Sequence, residues 1–238
     1  MISANETFDG TWPFPPCFST AAGFKQHYID EGPRDGEVVV LLHGEPTWGY
    51  LYRNMIPGLT AKYRVIVPDH MGFGKSETPQ DKEYTLRTHV ENLEALIEEL
   101  RLTDITFVGQ DWGGPITGAF TARNPKKVQR LFLMNTVLGF GGGKASGGKT
   151  PWFQWIEKHA NAGTLEGILG EMGSTVLSVM KIIGFQNSRD VSDTWIEAYS
   201  APFPDRASCI GAISFPLDVH EGRFLPFVRE TLEHGDLD

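Results

Sequence analysis

Cysteine is nearly absent: Cys17 and Cys209 are the two in 238 residues, so a disulfide framework is not expected and a reducing compartment fits. No N-terminal segment reads as basic followed by an apolar run, so neither a signal peptide nor a membrane span is indicated, and the expectation is a cytoplasmic protein. Basic patches are also missing. With 21 Lys and Arg against 30 Asp and Glu, the formal charge of −9 favours solubility and argues against nucleic-acid binding. There is no internal repeat, and no cluster with metal-ligand spacing, so no metal is inferred. What is present is a hydrophobic content of 40%, enough for one full core and a smaller appended unit. Oligomeric state is not legible.

The chain opens with Pro13, Pro15 and Pro16 around Trp12 and Phe14, an irregular arm, followed by short antiparallel edge strands near Cys17–Ser19 and Phe24–Asp30. Four β-branched runs come next, Val38–Leu42, Tyr63–Val67, Ile105–Val108 and Val128–Met134, each fit for a strand buried on both faces. Helical stretches alternate with them. Val90, Leu93, Leu96, Ile97 and Leu100 recur at helical spacing within Thr88–Leu100, and a second helix is expected from Gly113 to Arg123. Such alternation implies an α/β fold with a doubly wound, mostly parallel sheet. The glycine-rich run from Gly141 to Gly148 reads as a linker, and the stretch beyond it, to about Gly211, is helical or irregular without a convincing strand. The expected organisation is therefore a core over 1–138, a helical cap over 139–211 carrying Trp152, Trp155 and Trp195, and a return to the core over 212–238.

The most informative segment is Gly109-Gln110-Asp111-Trp112-Gly113-Gly114, which directly follows one of these strands. Glycines on either side of position 111 allow a sharp, strained turn that lifts the central side chain to the top of a parallel sheet. Serine usually sits there, but here it is a carboxylate. A carboxylate so held can displace a leaving group from an alkyl carbon and form an ester with the enzyme. Trp112 brings an indole N–H that can only donate, useful where negative charge builds up.

A second loop, His43-Gly44-Glu45-Pro46-Thr47-Trp48, follows a central strand. In hydrolases of this architecture it presents a backbone N–H, here that of Glu45, which with the N–H of Trp112 forms an oxyanion hole. His43 reads as a loop-holding residue, and the G-x-G of Gly72-Phe73-Gly74 as a structural turn, since its spacing matches neither the dinucleotide fingerprint nor the P-loop. His89 and His159 read as packing or surface residues in helices.

The ordered set of Tyr28–Pro33, His43–Trp48, Leu51–Arg53, Pro68–Ser76, Gly109–Gly114 and Ala201–Asp205 resembles the haloalkane dehalogenases of the α/β-hydrolase superfamily over nearly the whole chain. The resemblance implies that Asp111 attacks a halogen-bearing carbon, that Trp112 donates to the departing halide, and that no cofactor is needed. The partners it implies are a small halogenated substrate and a halide ion. Some members take a second donor from an Asn after the H-G pair. Glu45 stands there and cannot donate when ionised. Others use a cap tryptophan, and Trp152-Phe153-Gln154-Trp155 resembles that pattern, with Trp155 as the second donor and Trp152 lining the cavity.

The family also needs an acid and a histidine after the nucleophile. Asn135 and Thr136 occupy one position used for the acid, and His220 and His234 lack a preceding strand. The expectation is that neither acid nor histidine is present and that the chain is incomplete at its C-terminus, leaving this stretch inactive in turnover. The alternatives are an epoxide hydrolase, for which the cap offers Tyr199, a β-lactone decarboxylase, which is expected to pair Trp with Asn rather than Glu45, and a noncatalytic binding protein of the same fold.

Overall fold

Three β-branched runs, each able to bury both faces, build the centre of the molecule. The computed structural model describes residues 2–138, 150–171 and 192–234. Its sheet contains β1 (Cys17–Ser19), β2 (Gln26–Glu31), β3 (Glu37–Leu42), β4 (Tyr63–Pro68), β5 (Ile105–Gln110) and β6 (Val128–Met134), in the order β1-β2-β4-β3-β5-β6. β1 and β2 pair antiparallel at one edge, whereas β4, β3, β5 and β6 run parallel. The expected mixed, mostly parallel sheet is therefore observed. From β3 the chain goes first to β4 on one side and later to β5 on the other. A crevice opens outside the carboxyl ends of strands where the winding reverses in this way, and the loops after β3 and β5 meet there.

Helices close the sheet. α1 (Ile56–Leu59) is a single turn, while α2 (Leu86–Glu99) buries Val90, Leu93, Leu96 and Ile97 along one stripe. Burying each such side chain contributes about 1.5–3 kcal/mol relative to exposure. Thr85 caps α2 by accepting the Thr88 N–H at 3.2 Å, which satisfies one of the free donors of the first turn. α3 (Gly113–Arg123) starts directly behind Asp111 and packs on α2 and β5.

The described part of the expected cap is helical: α4 (Pro151–Asn161), α5 (Leu165–Glu171) and α6 (Asp193–Ser200). The glycine-rich run 141–148 lies outside the described residues. α7 (Ile210–His220) packs on α4 and α5, and the boundary expected at 211/212 falls inside its first turn. α8 (Phe224–His234) packs back on α2 and α3. Trp48 fastens α6 to the loop after β3, its indole N–H donating to the Ala198 carbonyl at 2.8 Å. No helix among the described residues is long and apolar enough to cross a membrane.

One expectation fails. β6 is not buried on both faces: Phe132 is 55% and Leu133 40% exposed, and successive strand residues point to opposite sides. The physical reason is position. β6 stands last in the strand order, so the β-branched pattern that reads as a central strand here forms an edge.

Candidate active site

Asp111 sits on a turn that its neighbours force. Its φ is +51°, a left-handed conformation that costs energy for a residue with a side chain and persists only where the surroundings over-determine it. Three close approaches do so. A Cβ on Gly113 would run into the Leu42 carbonyl, one on Gly109 would lie 2.7 Å from the Gly113 carbonyl oxygen, and one on Gly44 would strike the Asp111 side chain. The two glycines of the elbow and the glycine of the β3 loop are thus fixed by sterics rather than by flexibility. Thr136, just past β6, donates its hydroxyl to the Asp111 backbone carbonyl and braces the turn from the far side.

The carboxylate faces backbone donors. Oδ1 accepts the Glu45 N–H at 2.8 Å, and the Trp112 N–H also bonds to the carboxylate. Burial pushes the Asp111 carboxyl above its ordinary value, and those two donors pull part of the way back. Two backbone N–H groups directed at the Asp111 carboxylate can serve as an oxyanion site, and one such preorganised donor contributes about 3–4 kcal/mol where charge develops in a transition state.

The loop bearing Glu45 is held by histidines and a tyrosine. His43 Nε2 accepts the His70 backbone N–H at 2.9 Å, which leaves Nδ1 to donate to the Gly44 carbonyl at 2.9 Å. His70 returns the bond, Nε2 donating to the His43 carbonyl at 2.8 Å. Burial pulls His43 below its ordinary value and His70 well below it, so both are neutral braces. Tyr52 donates to the Leu42 carbonyl at 2.7 Å and holds the end of β3. The G-x-G turn wraps the Asp69 carboxylate, which accepts from the backbone of Gly49 and Lys75 and pairs with His27, each at 2.8 Å. Burial pushes Asp69 up, but His27 and the N–H donors outweigh it and hold the carboxyl below its usual range.

Glu45 is different. Its side chain is half-buried, its Oε1 is fully buried without a hydrogen-bond partner, and burial together with the nearby Asp111 pushes it well above the usual carboxylate range.

Trp112 is 8% exposed and stacks on Phe215 of α7, with ring centroids 4.3 Å apart and planes 24° from parallel. Phe224 of α8 meets it edge-on at 5.6 Å, and Phe215 is backed in turn by His89 at 4.4 Å. Trp152 and Trp155 lie stacked on α4, 5.5 Å apart and 11° from parallel, with His159 against Trp155 at 4.5 Å. The structure therefore brings Asp111, Trp112 and Glu45 together. Among the described residues no ring contact joins Trp155 or Trp152 to Trp112. Tyr199 is buried against Tyr50, and burial pushes its phenol up to about 12. His220, at the end of α7, lines a hollow with Phe153, Ile156 and Val219, and the side chain of His234 lies outside the described residues. No group of three or more metal-ligating side chains occurs among the described residues.

Sequence reasoning missed Thr136 as a brace of the elbow and Phe215 as the support of Trp112. Neither has a local signal, since each acts on a residue distant in the chain.

Residues 37–161 match the family described as alpha/beta hydrolase fold. The chain is 41% identical over 195 residues to a haloalkane dehalogenase of Psychrobacter cryohalolentis, covering 80% of this chain and 59% of that protein. It is 36% identical over 215 residues to a cis-3-alkyl-4-alkyloxetan-2-one decarboxylase of Shewanella oneidensis, covering 89% of this chain and 64% of that one. It thus spans about three fifths of the length of these curated relatives. Among solved structures, the tetrameric haloalkane dehalogenase DpaA from Paraglaciecola agarilytica NO2 superposes with a TM-score of 0.75 at 32% identity, over 94% of this chain and 73% of that one.

Proposed function

This chain belongs to the haloalkane dehalogenases of the α/β-hydrolase fold, and from that premise we propose that Asp111 displaces halide from a small haloalkane. The observation that carries the reading is a carboxylate, rather than a hydroxyl, on the strained elbow, hydrogen-bonded by two backbone N–H groups. An Asp111 carboxylate oxygen forms a bond to the alkyl carbon as the carbon–halogen electron pair leaves with the halide. The product is an aspartyl alkyl ester; in the family's reaction water then cleaves it to an alcohol and a proton and restores the carboxylate, a step whose acid and histidine are not expected among these residues. The backbone N–H groups of Glu45 and Trp112 stabilise the oxyanion of that second step.

Trp112 is the halide donor adjoining the nucleophile, and Trp155 is the second, with Trp152 lining the cavity. The Trp112 assignment is supported by its rigid setting between Phe215 and Phe224, which fixes the direction of the indole N–H. The assignment of Trp155 draws on the family pattern of a cap tryptophan. Asp111 supplies the displacement of halide without a cofactor.

A second reading draws on the decarboxylase relative, whose name gives a β-lactone as substrate. Glu45 in place of Asn speaks against it. The test is to supply a bromoalkane or a β-lactone and follow bromide and carbon dioxide release. Bromide released by the native chain and not by Asp111→Ala is the expected result. Carbon dioxide from the lactone without bromide from the bromoalkane would refute dehalogenation.

A further inference from the structure

We propose that the N-terminal arm, over residues 4–12, is a strap that clasps the loop after β3 against the cap, and that its Phe8 and Trp12 are positioning residues for the Glu45 N–H. The positioning part rests on the proposed dehalogenation; the strap does not.

The arm is tied down at both ends. Lys75 is 3% exposed, and its ammonium donates to the Ala4 carbonyl at 2.8 Å and the Glu6 carbonyl at 2.7 Å, bonds that replace the water a buried charge gives up. Phe8, Asp9 and Gly10 then reverse the chain, with φ of +50°, +55° and +77°. Glycine takes that conformation freely, but Phe8 and Asp9 do not, and such backbone persists only where its surroundings over-determine it. Here they do. Glu6 Oε1 accepts the Thr7 and Phe8 N–H groups at 2.9 and 2.8 Å, and the Trp12 N–H reaches back to the Thr7 carbonyl at 2.9 Å. From the cap, Thr194 of α6 donates its hydroxyl to Asp9 Oδ2 at 2.8 Å.

The reversal delivers two buried rings to the loop after β3. Phe8 meets Trp48 at 5.8 Å and Tyr50 at 5.9 Å, and Trp12 meets them at 5.1 and 6.2 Å. The Thr11 and Tyr50 hydroxyls share a hydrogen bond of 2.7 Å, and a Cβ on Gly49 would come within 3.2 Å of the Trp12 ring. On the other side lies α6, where Ala198 accepts the Trp48 indole N–H and Tyr199 meets Tyr50 edge-on at 5.4 Å. Trp48 and Tyr50 are thus gripped between arm and cap.

Glu45 is suspended between two fixed points. Upstream, His43 is locked to His70. Downstream, the Thr47 N–H closes a turn on the Gly44 carbonyl at 3.0 Å, and Trp48 is the gripped residue. The Glu45 N–H meets Asp111 Oδ1 at 2.8 Å from the stretch between them. Hydrogen bonds weaken steeply with misalignment, so a loop released at Trp48 no longer aims this donor or holds the carboxylate in its attacking position. Phe8 and Trp12 act on Asp111 through Trp48.

Two measurements on the full chain separate the parts of the proposal, using Trp12→Leu and the milder Thr194→Val, which removes the tie to Asp9. Hydrogen exchange followed by mass spectrometry reports the clasp. Exchange in the peptide spanning His43–Tyr50 should quicken about fivefold or more in Thr194→Val and further in Trp12→Leu, while β4 exchanges as in wild type. Thr194→Ser, which keeps the hydroxyl, should restore it. Alkylation of Asp111 by a bromoalkane reports the positioning. Its rate at saturation should fall about tenfold or more in Trp12→Leu with the half-saturating concentration unchanged, because orientation is lost and binding is not. Unchanged loop exchange in both variants overturns the strap, as does quickening that β4 shares equally. A loosened loop with an unchanged alkylation rate overturns the positioning role. If wild type itself is never alkylated while the loop responds, the dehalogenation reading fails and the positioning role with it, and the strap stands.

Discussion

Replacing Phe215 with leucine should loosen Trp112 without touching the nucleophile. Phe215 is fully buried and sandwiched, 4.3 Å from the Trp112 ring and 4.4 Å from the His89 ring. Phe73 is a third ring neighbour at 5.4 Å; each aromatic pair contributes about 0.5–1.5 kcal/mol beyond the area it buries, so losing three costs about 1.5–4.5 kcal/mol. Leucine fills much of the space, which keeps the cavity contribution small; alanine would leave a hole and cost about 3–5 kcal/mol. Urea unfolding of wild type, Phe215→Leu, Trp112→Leu and the double variant gives the coupling between the two rings. The expected coupling is about 0.5–1.5 kcal/mol. Bromide affinity should fall in Phe215→Leu, because the indole N–H is no longer aimed by its support. Additivity within about 0.3 kcal/mol, together with unchanged bromide binding, would refute the idea that this stack positions Trp112.

The buried histidines set the response to acid. Burial, reinforced by His43, pulls His89 down to about 3, and His43 and His70 are also depressed. Because the unfolded chain binds these protons first, stability is full above the ordinary histidine value and is lost as pH falls from there toward the native values, by up to about 1.4 kcal/mol per pH unit for each group. Urea midpoints measured down this range should fall steeply, and His89→Phe should flatten the slope; an unchanged slope would contradict the assignment. Glu45 has the opposite sign. Its native value lies above its unfolded one, so its contribution is present at low pH and lost as pH rises, and Glu45→Gln should gain stability over wild type progressively above the ordinary carboxylate range. Equal stability of the two at all pH values would argue that Glu45 ionises freely. Thr136→Val removes the bond to the Asp111 carbonyl and should cost about 1 kcal/mol. It should also slow alkylation of Asp111, and unchanged stability and rate would show that the elbow holds itself.

The elbow and its loop are legible in the sequence because steric demands there are local. Gly109 and Gly113 stand at fixed distances from Asp111, and a side chain at either would collide with neighbouring backbone. The parallel centre of the sheet is legible for a similar reason, since β3, β4 and β5 bury both faces and carry the continuous β-branched runs this requires. β6 carries the same composition at an edge, and composition does not record strand order. The environment of the Glu45 carboxyl is hidden in the sequence, where the residue reads only as one that cannot donate when ionised. Its state depends on the burial of Oε1 and on Asp111, which is 66 positions away in the chain. Phe215 is recognisable as part of a segment returning toward the core, but its stacking on Trp112 is a tertiary contact without a sequence pattern of its own.

The central claim is that the Asp111 carboxylate is a nucleophile toward an alkyl carbon. The most direct test is peptide mass mapping of the chain after incubation with a bromoalkane and rapid acid quench. An alkyl adduct on the peptide containing Asp111, absent from Asp111→Ala, is the expected result. An adduct that persists in Asp111→Ala or maps to another peptide would contradict the account, as would bromide released while Asp111 is never alkylated.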